Sequence, residues 1–222
     1  MSTGAVSFRT RSIALFGHTL NFAGAARPRD AGKTIEIELF DATKNTWVRA
    51  TSTRADSHGA FLAHWRTNML GRVSVRAIVL RSTASPRTAH TASATTSAPT
   101  QVTVYRAALS TYYGPGFFDH QTACGQTLIP ALIGIAHRTL PCGTLVEVSY
   151  GGRRLTVPVV DRGPYANGAD WDLTAGAAHA LAITGTVRIG TLVVGSVPNT
   201  PTLGLPPAPP PAIAATGGAP AG

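Results

Sequence analysis

The stretch VVDRGPYANGADWDLT (159–174) gathers Asp161, Asp170 and Asp172, three of the ten acidic side chains in this 222-residue chain. Asp161 closes an apolar run, and Asp172 stands between Trp171 and Leu173. Apolar surroundings penalise the charged form of a carboxyl group, and a second carboxylate nearby penalises it further. Such a group keeps its proton where a solvated aspartate has lost it, which is the property proton transfer needs. The same residues also have plainer uses. Asp161 can accept backbone N–H groups of the Arg-Gly-Pro-Tyr loop, Asp172 can complement the dipole of a helix capped by Thr174, and Asp170 reads as a solvated loop acid.

Other polar candidates are few. His137 follows Gly-Ile-Ala at the end of a short apolar run, where a hydrogen-bonded core role and a site role both fit. His137, Asp161 and His179 lack a recognisable ligand spacing, so neither a metal nor a cofactor is predicted. Arg138 and Arg162 can bind carboxylates or pair with the aspartates beside them. The two cysteines, Cys124 and Cys142, fit neither a CxxC redox pair nor a four-ligand zinc site. They are a bridged pair or two free thiols. Their place in a small β module favours the bridge, which would be worth about 3 kcal/mol by loop closure.

The elements that must position these residues are strands. KTIEIELF (33–40) alternates Ile35, Ile37 and Leu39 with polar residues, the period of a strand with one buried face. TWVRATSTR (46–54), AFLAHWR (60–66), GRVSVRAIVL (71–80) and QVTVYR (101–106) follow, with a turn at ADSHG (55–59). This spacing predicts an immunoglobulin-like β-sandwich over residues 1–106, with 82–100 as a long loop or insertion. A second β module follows over 107–195. TLVEVSY (144–150) and RRLTVPVV (153–160) flank Gly151-Gly152 as a hairpin, Thr174 caps a short helix over 175–182, and TVRIGTLVV (186–194) is the last strand. Residues 196–222, rich in Pro, Ala and Gly, read as a disordered tail.

Charge divides along the same line. The net charge is +9. Residues 1–106 hold 14 Lys plus Arg against five acids, whereas residues 107–195 hold five of each. The first module should therefore be drawn to polyanions. No basic run or nucleic-acid motif appears, so a nucleic-acid partner is not expected. SIALFG (12–17) is too short for a secretory apolar region and LIPALIGIA (128–136) too short to span a membrane.

Four segments of the second module carry a resemblance. STYYGPGF (110–117), TACGQTL (122–128), GIAHRTLPCGT (134–144) and PVVDRGPY with WDLT (158–174) occur in the order of rare lipoprotein A-like double-psi β-barrels. Residues 107–195 resemble that family, which includes septal-ring lytic transglycosylases and shares its barrel with expansins and barwin-related endoglucanases. The two-module layout is similar to secreted actinobacterial members. The resemblance implies an all-β chain whose second module is a six-stranded barrel with a short helix and a groove across one face. It also implies action on cell-wall glycans, an extracellular or cell-wall location, and a Cys124–Cys142 disulfide. Asp172 aligns with the catalytic acid, Asp161 with a second groove aspartate, and His137 with a histidine that matters in the rare lipoprotein A branch.

From that resemblance the expected activity is peptidoglycan lytic transglycosylation, in which the sugar's own C6 hydroxyl displaces the leaving oxygen and leaves a 1,6-anhydro end. Asp172, its proton affinity raised by Trp171, Leu173 and Asp161, would protonate the leaving oxygen, and Asp161 would face the developing cation. Gln126, Tyr113, Tyr165, Trp171 and Arg162 are the expected sugar-binding residues, and the basic first module would hold anionic wall polymer. Lytic members carry a glutamate where this chain has Gln126 and a carboxylate where it has Ile129. Gln126 cannot exchange a proton at working pH. The alternative is a non-catalytic, expansin-like module that binds and loosens polysaccharide.

Overall fold

A computed structural model describes residues 6–80, 95–165 and 168–207. The first module begins with β1 (Val6–Arg9), β2 (Ile13–Leu15) and β3 (Thr19–Ala26), continues through a 3-10 turn at Pro28–Asp30, and then forms β4 (Thr34–Asp41), β5 (Thr46–Arg54), β6 (Ala60–Arg66) and β7 (Gly71–Val79). A two-residue β8 (Thr95–Thr96) pairs with β7. Most of the loop expected over 82–100 lies outside the described residues. One sheet has the order β1-β3-β6; the other runs through β7, β4 and β5. Alternation does the packing. Phe22, Phe61 and Trp65 from the first sheet meet Ile35, Ile37, Val73 and Val75 from the second in one shared core. That is the two-layer arrangement the period-two pattern predicts.

β9 (Thr100–Tyr113) then passes out of this module without a break. Its first residues pair with β7, and its last with β13 (Trp171–Thr174) and β14 (Val187–Ser196). The expected boundary at 106/107 thus falls inside a single 14-residue strand. With β10 (Ile135–Ala136), β11 (Thr144–Tyr150) and β12 (Arg153–Asp161), these strands close a six-stranded barrel. The order around it is β9-β13-β10-β12-β11-β14, and the parallel β13–β9 pairing completes the circle. Val146, Val148, Val157, Val159 and Leu173 fill the interior. Each contributes about 1.5–3 kcal/mol of transfer free energy when fully buried. The β11–β12 turn holds Gly151 at φ 53° and Gly152 at φ 80°, the left-handed pair that a tight hairpin requires. Helix α1 (Ala175–Leu181) is capped by Thr174, whose Oγ1 accepts from Ala177 N at 3.3 Å.

The end of the second module differs from the sequence expectation. Over residues 196–207 the segment read as a disordered tail is held on the barrel. Ile133 N donates to Gly204 O at 2.8 Å, Asn199 Nδ2 donates to Cys124 O at 2.8 Å, and Leu205 packs beside Leu128, Leu132 and Val160. Composition undercounts this strap, because polar contacts rather than apolar area hold much of it. Residues 208–222 lie outside the described residues.

Where the modules meet, a barrel acid is satisfied from the sandwich side. Glu147 on β11 is buried, and it accepts from Arg72 Nη2 at 2.5 Å and from the Tyr105 hydroxyl. Tyr105 is fully buried on β9, with its hydroxyl pushed up to about 12 by burial and then by Glu147. Gly190 makes room for that ring: a Cβ there would lie 2.9 Å from Tyr105 Cβ. Removing Glu147 takes an acceptor from the buried Tyr105 hydroxyl, while the exposed Arg72 guanidinium turns to solvent. Glu147→Ala should therefore cost about 1–3 kcal/mol, read as a lower urea midpoint, and Tyr105→Phe should soften the loss.

Candidate active site

Backbone register assembles the site. Thr111 on β9 pairs with Asp172 on β13, Asp172 pairs with Ala136 on β10, and Ala136 pairs with Asp161 on β12. Directly opposed residues share a face of the sheet. The four side chains therefore form a row across four strands, and all four line one groove of about 730 Å³. Asp161 and Asp172 are separated by the single strand β10, roughly 10 Å from backbone to backbone. Ala136 between them is buried and carries only a Cβ, so it lines the floor of the groove without separating the two carboxyls. Register also slips between Ile135 and Ala136, and this slip sets Asp161 rather than Val160 opposite Ala136. A bulge is a standard way to re-aim a side chain next to a site.

The two carboxylates are held differently. Asp161 accepts three hydrogen bonds: from Tyr113 Oη at 2.9 Å, Ala123 N at 2.8 Å and Arg162 N at 2.8 Å. Both of its oxygens are engaged, and its orientation is fixed. Asp172 is half-buried and accepts one hydrogen bond, from Thr111 Oγ1 to Oδ1 at 2.7 Å. Its second oxygen has no protein partner among the described residues. Burial raises the pKa of Asp172, the charge of Asp161 adds to the rise, and the Thr111 hydroxyl offsets part of it. Burial and Asp161 also push the Tyr113 hydroxyl far above its ordinary range, so it stays protonated and remains a donor.

The loop that brings Ala123 to Asp161 is itself anchored. Cys124 and Cys142 form a disulfide with 5.8 Å between their Cα atoms, tying the loop to the chain just ahead of β11. Arg162 spans the same region: Nη2 donates to Cys142 Sγ at 3.2 Å, and Nη1 to His137 O at 3.4 Å and Asp161 O at 3.3 Å. Arg138 Nη2 donates to Ala169 O at 2.6 Å. Asp170 is not merely solvated, because its Oδ2 accepts from Leu109 N at 3.0 Å and joins the loop to β9.

Several residues expected at the site lie elsewhere. Trp171 and Leu173 alternate with Asp172 along β13, so they face the barrel interior and cannot be the apolar wall beside its carboxyl. The Trp171 ring packs on His137, with centroids 4.4 Å apart, and neither residue borders the groove. His137 Nδ1 accepts from Thr139 N at 3.2 Å and Leu140 N at 3.0 Å, which places its ring proton on Nε2. Burial and then Arg138 and Arg162 lower its pKa, favouring the neutral ring. Gln126 is fully buried. Its Nε2 donates to Asn199 Oδ1 and Thr200 O, both at 2.7 Å, and its Oε1 accepts from Thr122 Oγ1 at 3.1 Å. A side chain whose amide is used up inside the protein does not reach a sugar.

Tyr113, Tyr165 and Arg162 do line the groove. So do Tyr112 and Phe117, aromatics that the sequence offers as flat faces for sugar rings, and residues that sequence reasoning passed over: Thr111, His120 and the rim Thr184–Thr186. Phe117 and Tyr165 are 60% and 78% exposed, an aromatic presentation that suits the apolar faces of sugar rings. The Tyr-Tyr-Gly-Pro-Gly-Phe run was the available signal for Tyr112 and Phe117. Thr111 had no local signal. Among the described residues, no group of three or more His, Cys, Asp or Glu side chains is arranged to hold a metal ion.

Comparison with known proteins bears on the second module. Residues 105–195 match the lytic transglycolase family. The chain is 43% identical over 77 residues to a probable endolytic peptidoglycan transglycosylase RlpA of Synechocystis, covering 34% of this chain and 24% of that protein. It is 37% identical over 103 residues to the endolytic peptidoglycan transglycosylase RlpA of Campylobacter jejuni, covering 44% and 38%. A third similar protein, a probable RlpA of Aquifex aeolicus, is 41% identical over 85 residues, covering 37% and 36%. The matched segment thus spans about a quarter to two fifths of these relatives' own length. Over residues 105–195 the second module is thus similar to the lytic transglycolase family and to RlpA proteins.

Because the Asp161 charge helps to raise the Asp172 pKa, Asp161→Asn should lower it, measured by carboxyl ¹³C shifts across a pH titration. The sign carries over to stability. An acid with a raised folded-state pKa favours folding below its unfolded value of 3.8 and loses that contribution as pH rises through the folded value. Asp172→Asn should therefore make the protein more stable at neutral pH than the unaltered chain. An unmoved titration in Asp161→Asn would show that the two carboxylates do not share a field.

Proposed function

We propose that the barrel of this chain is a peptidoglycan lytic transglycosylase that cleaves glycan strands with 1,6-anhydro product formation. The observation that carries this is the asymmetry across Ala136. One carboxyl has a raised pKa and a free oxygen, and it faces a second carboxylate locked by three donors. Asp172 gives its proton to the glycosidic oxygen as the C1–O bond breaks. Asp161 stabilises the positive charge that develops on the ring. The C6 hydroxyl of the same sugar then forms the new bond to C1, and its proton returns to Asp172. Because the nucleophile is part of the substrate, no second base is needed to activate a water, and the buried Gln126 is no obstacle. Tyr112, Phe117 and Tyr165 supply faces for the rings, while Thr111 and Tyr113 hold the two carboxylates. His137 acts at a distance, by carrying the Arg162 contact and packing Trp171 beneath the site.

The disulfide and the named activity of the relatives support an extracytoplasmic, cell-wall location. The basic first module would hold the protein on anionic wall polymer. Lys33, Lys44, Arg49 and Arg76 are matched to Asp30, Asp41, Glu36 and Glu38. Arg27, Arg29 and Arg54 make no ion pair among the described residues. A non-catalytic, expansin-like wall-loosening role is the second reading. It is favoured by the absence of a carboxylate at Gln126 and Ile129.

Incubation with purified glycan strands, followed by mass spectrometry of the released ends, separates the two. Anhydro ends are expected, and Asp172→Asn should reduce their release by about 10²–10⁴-fold, the usual worth of a general acid. Binding without release would establish the second reading. Binding of the intact chain to whole walls should weaken steeply as salt is raised, and a triple Arg27, Arg29 and Arg54 to Gln variant should flatten that dependence.

A further inference from the structure

We infer that the groove continues past Tyr112 into a second depression that binds a carboxylate carried by the glycan; this rests on the glycan reading above. The depression, about 570 Å³, shares Tyr112 and Thr184 with the groove, so a polymer lying in one runs on into the other. Its character is different. The groove holds two carboxylates, whereas the depression is lined by Arg153 and His179 and by no acid. Both of these side chains are exposed, and the small side chains of Ala175 and Ala178 line the depression beside them. Arg153 Nη1 donates to Ala180 O at 3.4 Å, a long contact. A guanidinium has five N–H donors in a planar fork, so most of this one's capacity is left for a ligand, and the fork matches a carboxylate.

A structural explanation exists for the location. A cation beside the last turn of a helix complements its dipole, and Arg153 stands there, reaching Ala180 O. That accounts for the charge but not for a cavity contiguous with the site. Arg153 and Asp161 are the two ends of β12, eight residues or roughly 26 Å apart along an extended strand. A carboxylate bound at Arg153 therefore belongs to a sugar several positions away from the bond being cut. The ligand class is a polymer bearing repeated carboxylates, either the lactyl carboxylates of the amino sugars or those of attached peptide stems.

The test uses the intact chain carrying Asp172→Asn, so that strands are bound and not cut. Three strand preparations are compared by equilibrium binding at low ionic strength: with peptide stems, with stems removed, and with stems removed and the exposed carboxylates converted to amides. Carboxylated strands should bind about threefold to fivefold more tightly than amidated ones, the range an exposed ion pair supports. Tightest binding of the stripped strands would assign the lactyl carboxylate, and tightest binding of the stem-bearing strands the peptide. Adding Arg153→Gln should erase the difference, and Arg153→Lys should restore part of it. Equal affinity for carboxylated and amidated strands, or a difference that survives Arg153→Gln, overturns the inference. Binding of none of the three overturns the glycan reading and this inference with it.

Discussion

Thr111, Asp172, Ala136 and Asp161 sit on four strands that are distant in sequence, and only closure of the barrel makes them neighbours. The parallel pairing of β13 with β9 is the contact on which that depends. Without it Asp172 loses the Thr111 hydroxyl, and the barrel opens between β9 and β13. The site is thus stabilised by backbone ladders, and its chemistry comes from side chains those ladders only orient. Placing the carboxylates on strands keeps the separation between them constant, while the disulfide-anchored loop supplies the Ala123 N–H that a strand could not. Rigid elements carry the row, and a stapled loop completes it.

The joint between modules follows the same economy. A single strand belongs to both cores, and Glu147 closes the seam by accepting from Arg72 on one side and Tyr105 at its centre. Two modules linked in this way are not beads on a flexible linker. Whatever surface the basic sandwich meets, the barrel groove is presented to it in a set orientation. All the excess positive charge lies in the first half and the second half is neutral, so a field acting on the first half also turns the second.

Much of the scaffold was legible from local pattern. The strands at 34–41, 46–54, 60–66 and 71–79, the Gly-Gly hairpin of the barrel and the capped helix all follow from alternation, turn chemistry and a capping threonine. β10 was not legible, since two residues are too few to show a period. The strap at 196–207 was missed because its composition promises little apolar burial. Its anchor is the Gln126 amide, which donates to Asn199 and Thr200 from across the module. Gln126 itself was read as a sugar ligand because its sequence neighbours lie in a site motif. Three hydrogen bonds inside the protein decide otherwise.

By itself the sequence determined the β character of both modules, the division of charge between them and the candidacy of Asp161 and Asp172, and through resemblance it pointed to a family of barrels. Tertiary structure alone decided which side chains face the groove. Alternation along β12 would send Asp161 inward with Val157 and Val159, and alternation along β13 puts Trp171 on the side away from Asp172; a one-residue slip against β10 corrects the first, and nothing corrects the second. It also decided that the two carboxyls differ, since burial and the number of donors reaching each oxygen come from other strands and loops. A linear pattern specifies which residue types are present and their period along the chain, but proton affinity depends on what surrounds a group in space.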